Sequence, residues 1–207
     1  FKPESVAVIG ASNTPGKVGY IIVDNLINDG FEGEIYPVNP KGGEILGKTA
    51  YPNIKDVPGK VDLVIITIPS PFVNTAVKEC GEVGIENMVV ITAGFKEVGG
   101  EGVKLEAELT ALGKEYGINI IGPNSLGITD SHTPLNGSFS QMMPPEGNIA
   151  FISQSGAMMV AIIDWSVTSG IEFSKVISLG NKAGVNEIEL LQYLAEDDET
   201  NVIICYL

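Results

Sequence analysis

A chain of 207 residues, 44% of them hydrophobic and 25 of them glycine, can bury one sizeable core or two smaller ones in tandem. Its formal charge is −14 and none of its 12 basic residues is an arginine, so nucleic acid is excluded as a partner: no basic run offsets the repulsion from a phosphate backbone. No apolar run approaches the roughly 18 residues that cross a bilayer, and Phe1-Lys2-Pro3 lacks the basic-then-apolar pattern of a signal peptide. A cytoplasmic protein with no membrane partner is the expectation.

In chain order, the predicted strands Val6–Ile9, Glu34–Val38, Val61–Ile68, Met88–Thr92 and Ile118–Ile121 alternate with helices over about 17–28, 71–83 and 101–116. Several strands are continuously apolar, as strands covered on both faces are, and the alternation argues a parallel sheet with right-handed crossovers. The rhythm stops at residues 129–147, TDSHTPLNGSFSQMMPPEG, whose turn formers and three prolines read as an interdomain linker. It restarts with strand Asn148–Ile152, helix 156–168, strand Lys175–Leu179, helix 186–195 and strand Val202–Leu207. A second unit with only three strands is expected to be the first part of a domain. Cys80 and Cys205 make no CxxC or metal spacing, so no disulfide framework and no metal is expected, and both read as core thiols.

Chemistry concentrates where strands end. VAVIGASNTPGKVG, residues 6–19, runs from a strand through a glycine-rich turn into a helix, whose unsatisfied N–H groups and dipole favour an anion. Such a turn can also serve only to pack the helix close to the sheet. The glycines at Gly10, Gly16 and Gly19 do not fit G-x-G-x-x-G. After the second strand, Val38-Asn39-Pro40-Lys41 offers a lysine where an NAD-binding fold places an acid. A lysine suits a ribose phosphate, which leaves NADP or coenzyme A. Thr92-Ala93-Gly94 and Gly122-Pro123-Asn124 follow later strands, where open α/β sheets bind ligands. FISQSG, residues 151–156, sets Ser153 and Ser155 at the start of an apolar helix, which makes a second anion site or a plain cap. G-x-S-x-G is not matched, and the single histidine, His132, falls in the presumed linker as a solvated loop residue.

Taken together, VIGAS, PVNPKGG, ITAGF, GPNSLGI, GNIAFISQSGA and SLGNKAGVNE resemble, in order and over the whole chain, the α-subunit side of the NDP-forming acyl-CoA synthetases, above all the ADP-forming acetyl-CoA synthetases. Succinyl-CoA synthetase is a more distant relative. The resemblance implies an α/β fold: a Rossmann-like CoA-binding domain at 1–128, a linker at 129–147, and the N-terminal part of a flavodoxin-like domain at 148–207. It implies coenzyme A as the bound cofactor, with its phosphates along Gly10, Ala11, Ser12, Asn13 and Lys17, and its adenosine end at Val38, Asn39 and Lys41. Ile68, Pro69, Thr92, Ala93 and Gly94 would line the pantetheine path, and Asn124 would stand near the thiol. Ser153, Ser155 and Gly156 would receive the phosphate of a phosphohistidine, and Val160 falls at the acyl pocket.

The implied reaction interconverts acyl-CoA, ADP and phosphate with acid, CoA and ATP through an acyl phosphate. ATP, ADP and Mg²⁺ would be held by an ATP-grasp domain or β subunit in an oligomeric full enzyme. Relatives commonly carry Cys where this chain has Ser125. The family's phosphorylated histidine lies beyond residue 207, so the chain alone is expected to bind CoA without completing the reaction. The alternative is a CoA-sensing regulatory domain like the synthetase-like part of some protein acetyltransferases. An NADP-dependent dehydrogenase is opposed by the glycine spacing.

Overall fold

The computed structural model describes residues 1–207. The first unit contains β1 (Ser5–Ile9), α1 (Val18–Asn28), β2 (Glu34–Val38), a hairpin of β3 (Gly43–Ile45) and β4 (Lys48–Ala50), β5 (Leu63–Ile66), α2 (Ser70–Glu82), β6 (Asn87–Val90), α3 (Glu101–Tyr116) and β7 (Asn119–Ile121). β1, β2, β5, β6 and β7 form one parallel sheet in the order β2-β1-β5-β6-β7. The chain reverses direction across the sheet between β1 and β5, and this switch point leaves a crevice beyond the carboxyl ends of those strands. β1 and β5 are buried along their whole length, which is why they read as unbroken apolar runs. Helix α3 fills its predicted span between Gly100 and Gly117, the latter a left-handed C-cap at φ +68°.

The second unit holds β8 (Gly127–Asp130), β9 (Leu135–Ser138), β10 (Glu146–Ser153), α4 (Gly156–Ser169), β11 (Phe173–Ser178), α5 (Glu187–Ala195) and β12 (Val202–Tyr206). Its sheet runs β12-β10-β11-β8-β9. β10, β11 and β12 are parallel, as expected, whereas β8 and β9 are antiparallel strands that join the same sheet at β11. The expected architecture, Rossmann-like and then flavodoxin-like, is therefore present with four strands more than the sequence showed: the β3–β4 hairpin in the first unit, and β8 and β9 in the second.

Those strands correct the linker. Residues 129–147 supply the end of β8, all of β9 and the start of β10, and Thr129, Asp130, Asn136 and Ser138 are fully buried. Thr129 Oγ1 is left without a hydrogen-bond partner, but the Asn136 side chain and the Ser138 carbonyl find partners distant in sequence. Asn25 of α1 donates from Nδ2 to the carbonyls of Ser138 (2.9 Å) and Ser140 (2.7 Å), and Asn136 Nδ2 donates to Asp29 Oδ2 at 2.7 Å. One apolar cluster runs from Val6, Ile22 and Leu26 through Ile128 and Leu135 to Ile152 and Ile177, so the two units share a core. Each such side chain contributes about 1.5–3 kcal/mol on full burial.

His132 is also corrected: it sits in the β8–β9 turn with its side chain a quarter exposed, Nε2 2.8 Å from the Gly147 carbonyl oxygen. Cys80 is buried, and burial pushes its thiol up to about 12. Cys205, expected in the core, is exposed on β12 at the edge of the second sheet.

Candidate functional site

The glycine-rich turn is built for close approach. Gly10 has φ +97°, and a Cβ there would lie 2.5 Å from Thr67 Oγ1, so the turn passes directly over the end of β5. Lys17 takes the N-cap position of α1 without a capping side chain, which leaves the first N–H groups of the helix open to a ligand. The Asn13 and Asn39 side chains, expected on a ligand, are engaged elsewhere. Asn13 Nδ2 donates to the Glu44 carbonyl (2.7 Å) and Oδ1 accepts from Leu46 N–H (3.1 Å), tying the turn to the β3–β4 hairpin. Asn39 Nδ2 donates to the Ala11 carbonyl (2.8 Å) and Oδ1 accepts from Lys41 N–H (2.9 Å). Ser12 Oγ accepts from Thr14 N–H at 3.0 Å, and Ala11 is fully buried. Backbone groups, the Ser12 and Thr14 hydroxyls and the exposed Lys17 and Lys41 remain for an anion along this rim.

Two cavities open at the crevice. One, of about 450 Å³, is an apolar slot in which Gly10, Val38, Pro40, Ile54, Ile68 and Phe72 meet; it lies beside Lys41 in sequence, at Pro40. Phe72 is 62% exposed, a large aromatic surface for a planar ring to stack on, and the reading of the sequence missed it although it stands just past the end of β5. The other is a cleft of about 700 Å³. Ile68, Pro69, Thr92, Ala93 and Asn124 line it from the first unit. Gly94 does not: its N–H donates to the Glu97 carboxylate, which also accepts from Phe95 N–H at 3.1 Å. Burial raises the Glu97 carboxyl, but those bonds and one from Asn181 outweigh it and hold the group below its ordinary value.

The second unit closes the cleft with Gln154, Gly156, Ala157 and Val160 at the start of α4, and with Phe139. Ser153 is fully buried, and its Oγ bonds within the turn, accepting from Ser155 N–H (3.0 Å) and donating to the Ser155 carbonyl (3.1 Å). Ser155 Oγ caps α4 by accepting from Met158 N–H at 3.2 Å. The two serines therefore shape and cap the helix start, and the N–H groups of Gly156 and Ala157, which have no acceptor within the helix, are left toward the cleft. Val160 is 44% exposed and forms an apolar wall with Phe139 and Ala157. None of the cleft's lining residues is charged, so an anion inside it meets only helix N–H dipoles and neutral donors. Ser125 is buried and donates to the Ser178 carbonyl at 2.8 Å, which makes it part of the turn's support. Phe139 and Gln154 could not be placed from sequence because both lie outside the strand and helix patterns.

Residues 4–131 match the CoA binding domain family, and residues 146–207 match the succinyl-CoA ligase like flavodoxin domain. The chain belongs to the CoA-binding domain family. Its 207 residues are 51% identical to ADP-forming acetate–CoA ligase I of Archaeoglobus fulgidus, covering all of this chain and 30% of that protein. The α subunit of ADP-forming acetate–CoA ligase I from Pyrococcus furiosus is 42% identical over 211 residues, covering all of this chain and 46% of the subunit. Among solved structures, the dinucleotide-forming acetyl-coenzyme A synthetase 1 of Ca. Korarchaeum cryptofilum, in complex with phosphate and ADP, superimposes with a TM-score of 0.97 at 42% identity, covering all of this chain and 44% of that one. This CoA-binding chain thus spans between about a third and a half of the length of these relatives, and the likeness drawn from its motifs is borne out.

Proposed function

We propose that the chain is the CoA-binding and phosphate-receiving part of an ADP-forming acyl-CoA ligase, which interconverts acyl-CoA, ADP and phosphate with acid, CoA and ATP. One observation carries the reading: a single cleft is lined both by the carboxyl ends of the first sheet, at Ile68, Thr92 and Asn124, and by the N-terminus of α4, at Gly156 and Ala157. A thioester carbon arriving along the first unit and a phosphoryl group held at the second would meet there, as formation of an acyl phosphate requires. The α4 N–H groups supply preorganised donors for the phosphoryl oxygens. The names of the relatives support the same activity.

In this reading the Gly10–Lys17 turn carries the diphosphate of CoA through backbone N–H groups, Lys41 meets the ribose 3′-phosphate, and the slot with Phe72 takes the adenine. The pantetheine follows Ile68, Pro69, Thr92 and Ala93 to Asn124, and Val160 with Phe139 faces the acyl group. The phosphorylated histidine comes from outside residues 1–207, and ATP, ADP and Mg²⁺ are bound by an ATP-grasp domain or subunit of an oligomeric cytoplasmic enzyme. No helix of the chain is long and apolar enough to cross a membrane.

Calorimetric titration with CoA, dephospho-CoA, NAD and NADP tests the ligand: CoA is expected to bind best, dephospho-CoA more weakly, and the nicotinamide nucleotides not measurably. NADP binding as tight as CoA would overturn it. ATP formation from acetyl-CoA, ADP and phosphate by the full-length protein tests the reaction, and CoA binding without any ATP formation would leave a sensor in place of an enzyme.

A further inference from the structure

We propose that Asn181, on the loop after β11, is a positioning residue that holds the Asn124 side chain in the cleft, and so makes the second unit part of the CoA site. The inference rests on the reading that the cleft takes the thiol end of CoA. Asn124 is exposed in the cleft and has φ +57°, the left-handed region, where the backbone of the turn aims its side chain outward. Its Nδ2 lies 3.4 Å from Asn181 Oδ1, the one side-chain partner it has within the protein.

Asn181 is itself held from every side. Its N–H donates to the Pro123 carbonyl at 2.8 Å, Lys96 Nζ donates to its carbonyl, and Gly180 at φ +57° lets the loop come so near that a Cβ there would lie 2.2 Å from the Pro123 oxygen. The loop continues along β7 through Ala183 N–H to Gly122 O (2.9 Å) and Val185 N–H to Ile120 O (2.8 Å). Asn181 Nδ2 donates to two carboxylates, Glu97 Oε2 at 2.6 Å and Glu106 Oε2 at 2.8 Å, and Glu106, nearly buried, also pairs with Lys96 Nζ at 2.8 Å. Two carboxylates accept and never donate, so they admit only the NH₂ side of the amide. Oδ1 is thereby turned toward Asn124, and an acceptor of fixed direction selects one orientation of the Asn124 amide, with its own oxygen free for the ligand.

The test uses the purified protein and two ligands, CoA and adenosine 3′,5′-bisphosphate, which ends before the cleft. Asn181→Ala is expected to weaken CoA about three- to tenfold, the range of one neutral hydrogen bond, and to leave the bisphosphate unchanged. In an Asn124→Ala background the same change should cost CoA nothing further. Asn181→Asp provides a second variant should the alanine form not fold. At about pH 8 its carboxylate faces Glu97, Glu106 and Lys96 and should lose CoA affinity, while near pH 5.5 a protonated side chain again donates to a carboxylate and accepts from Asn124, so affinity should return. Loss of both ligands alike, or loss that adds to that of Asn124→Ala, would overturn the positioning role while leaving the CoA site in place. Failure of the unmodified protein to bind CoA would overturn the site and this inference together.

Discussion

A Cβ built on Gly19 would stand 2.0 Å from the carbonyl oxygen of Gly10, so the first turn of α1 and the end of β1 touch through a position that accepts no side chain. Helix propensity alone would reward Gly19→Ala by about 1 kcal/mol, but the clash is with backbone, and overpacking of this kind costs about 1–3 kcal/mol. We expect a net loss of up to about 2 kcal/mol in urea denaturation, together with weaker CoA binding. A gain in stability would show that the turn moves away freely.

Lys41→Ala separates the two ends of CoA. A charge-assisted hydrogen bond is worth about 1.5–3 kcal/mol, or roughly ten- to over a hundredfold in affinity. CoA should weaken by that factor and dephospho-CoA scarcely at all, with the loss shrinking as salt rises. Equal weakening of both would move Lys41 from the 3′-phosphate to the diphosphate or to loop support.

Ser155 caps α4, and aspartate caps as well as serine does. Ser155→Asp should therefore keep the melting temperature while placing a negative charge against an incoming anion. Phosphate seen at the Gly156 and Ala157 N–H groups in crystals of the unmodified protein should vanish in the variant. Persistent occupancy would reduce the helix start to an ordinary cap.

Lys175 is fully buried on β11, with Asp197 Oδ2 at 2.7 Å, Glu199 Oε2 at 3.0 Å and Asp130 Oδ2 at 3.3 Å. Burial lowers the lysine, but its hydrogen bonds to Asp197 and Glu199 prevail and raise it above its ordinary value. Burial raises Asp130, with Lys175 opposing, while Asp197 and Glu199, also penalised by burial, end below their ordinary values through bonds from Lys175, Thr200 and Lys2. Their contribution is present above the unfolded carboxylate range and is lost as pH falls through the lowered folded values, offset in part by relief of Asp130. The lysine's contribution is complete below its unfolded value and fades as pH rises past it. Stability should thus drop at both extremes. Lys175→Met, which strands the carboxylates, should cost about 3–5 kcal/mol in denaturant unfolding near neutral pH, and Asp130→Asn should recover part of it. A loss below 1 kcal/mol would mean that water reaches the cluster.

His132, held to Gly147 and absent from the cleft, should not carry phosphate. His132→Gln in the full-length protein should leave labelling by radioactive ATP unchanged; loss of an acid-labile phosphate would place the histidine in the reaction after all.

Local patterning along the chain was enough to reveal the parallel first sheet, its crossover helices and the turns that rim the crevice. Strands such as Val6–Ile9 and Leu63–Ile66 bury both faces and so read as apolar runs, and Gly100 and Gly117 bracket α3. These are local signals, carried by neighbours in the chain. The fate of residues 129–147 depended instead on long-range packing. Asp130, Asn136 and Ser138 look like loop residues, yet they are buried because Lys175, Asp29 and Asn25 satisfy them from as far as 113 residues away. The same holds for the site: Phe139 and Gln154 reach the cleft because the second sheet packs on the first, Asn181 stands behind Asn124, and the Asn13, Asn39 and Ser153 side chains are taken up by the scaffold. A polar side chain is buried where its partner happens to be, and periodicity along the chain carries no record of that partner.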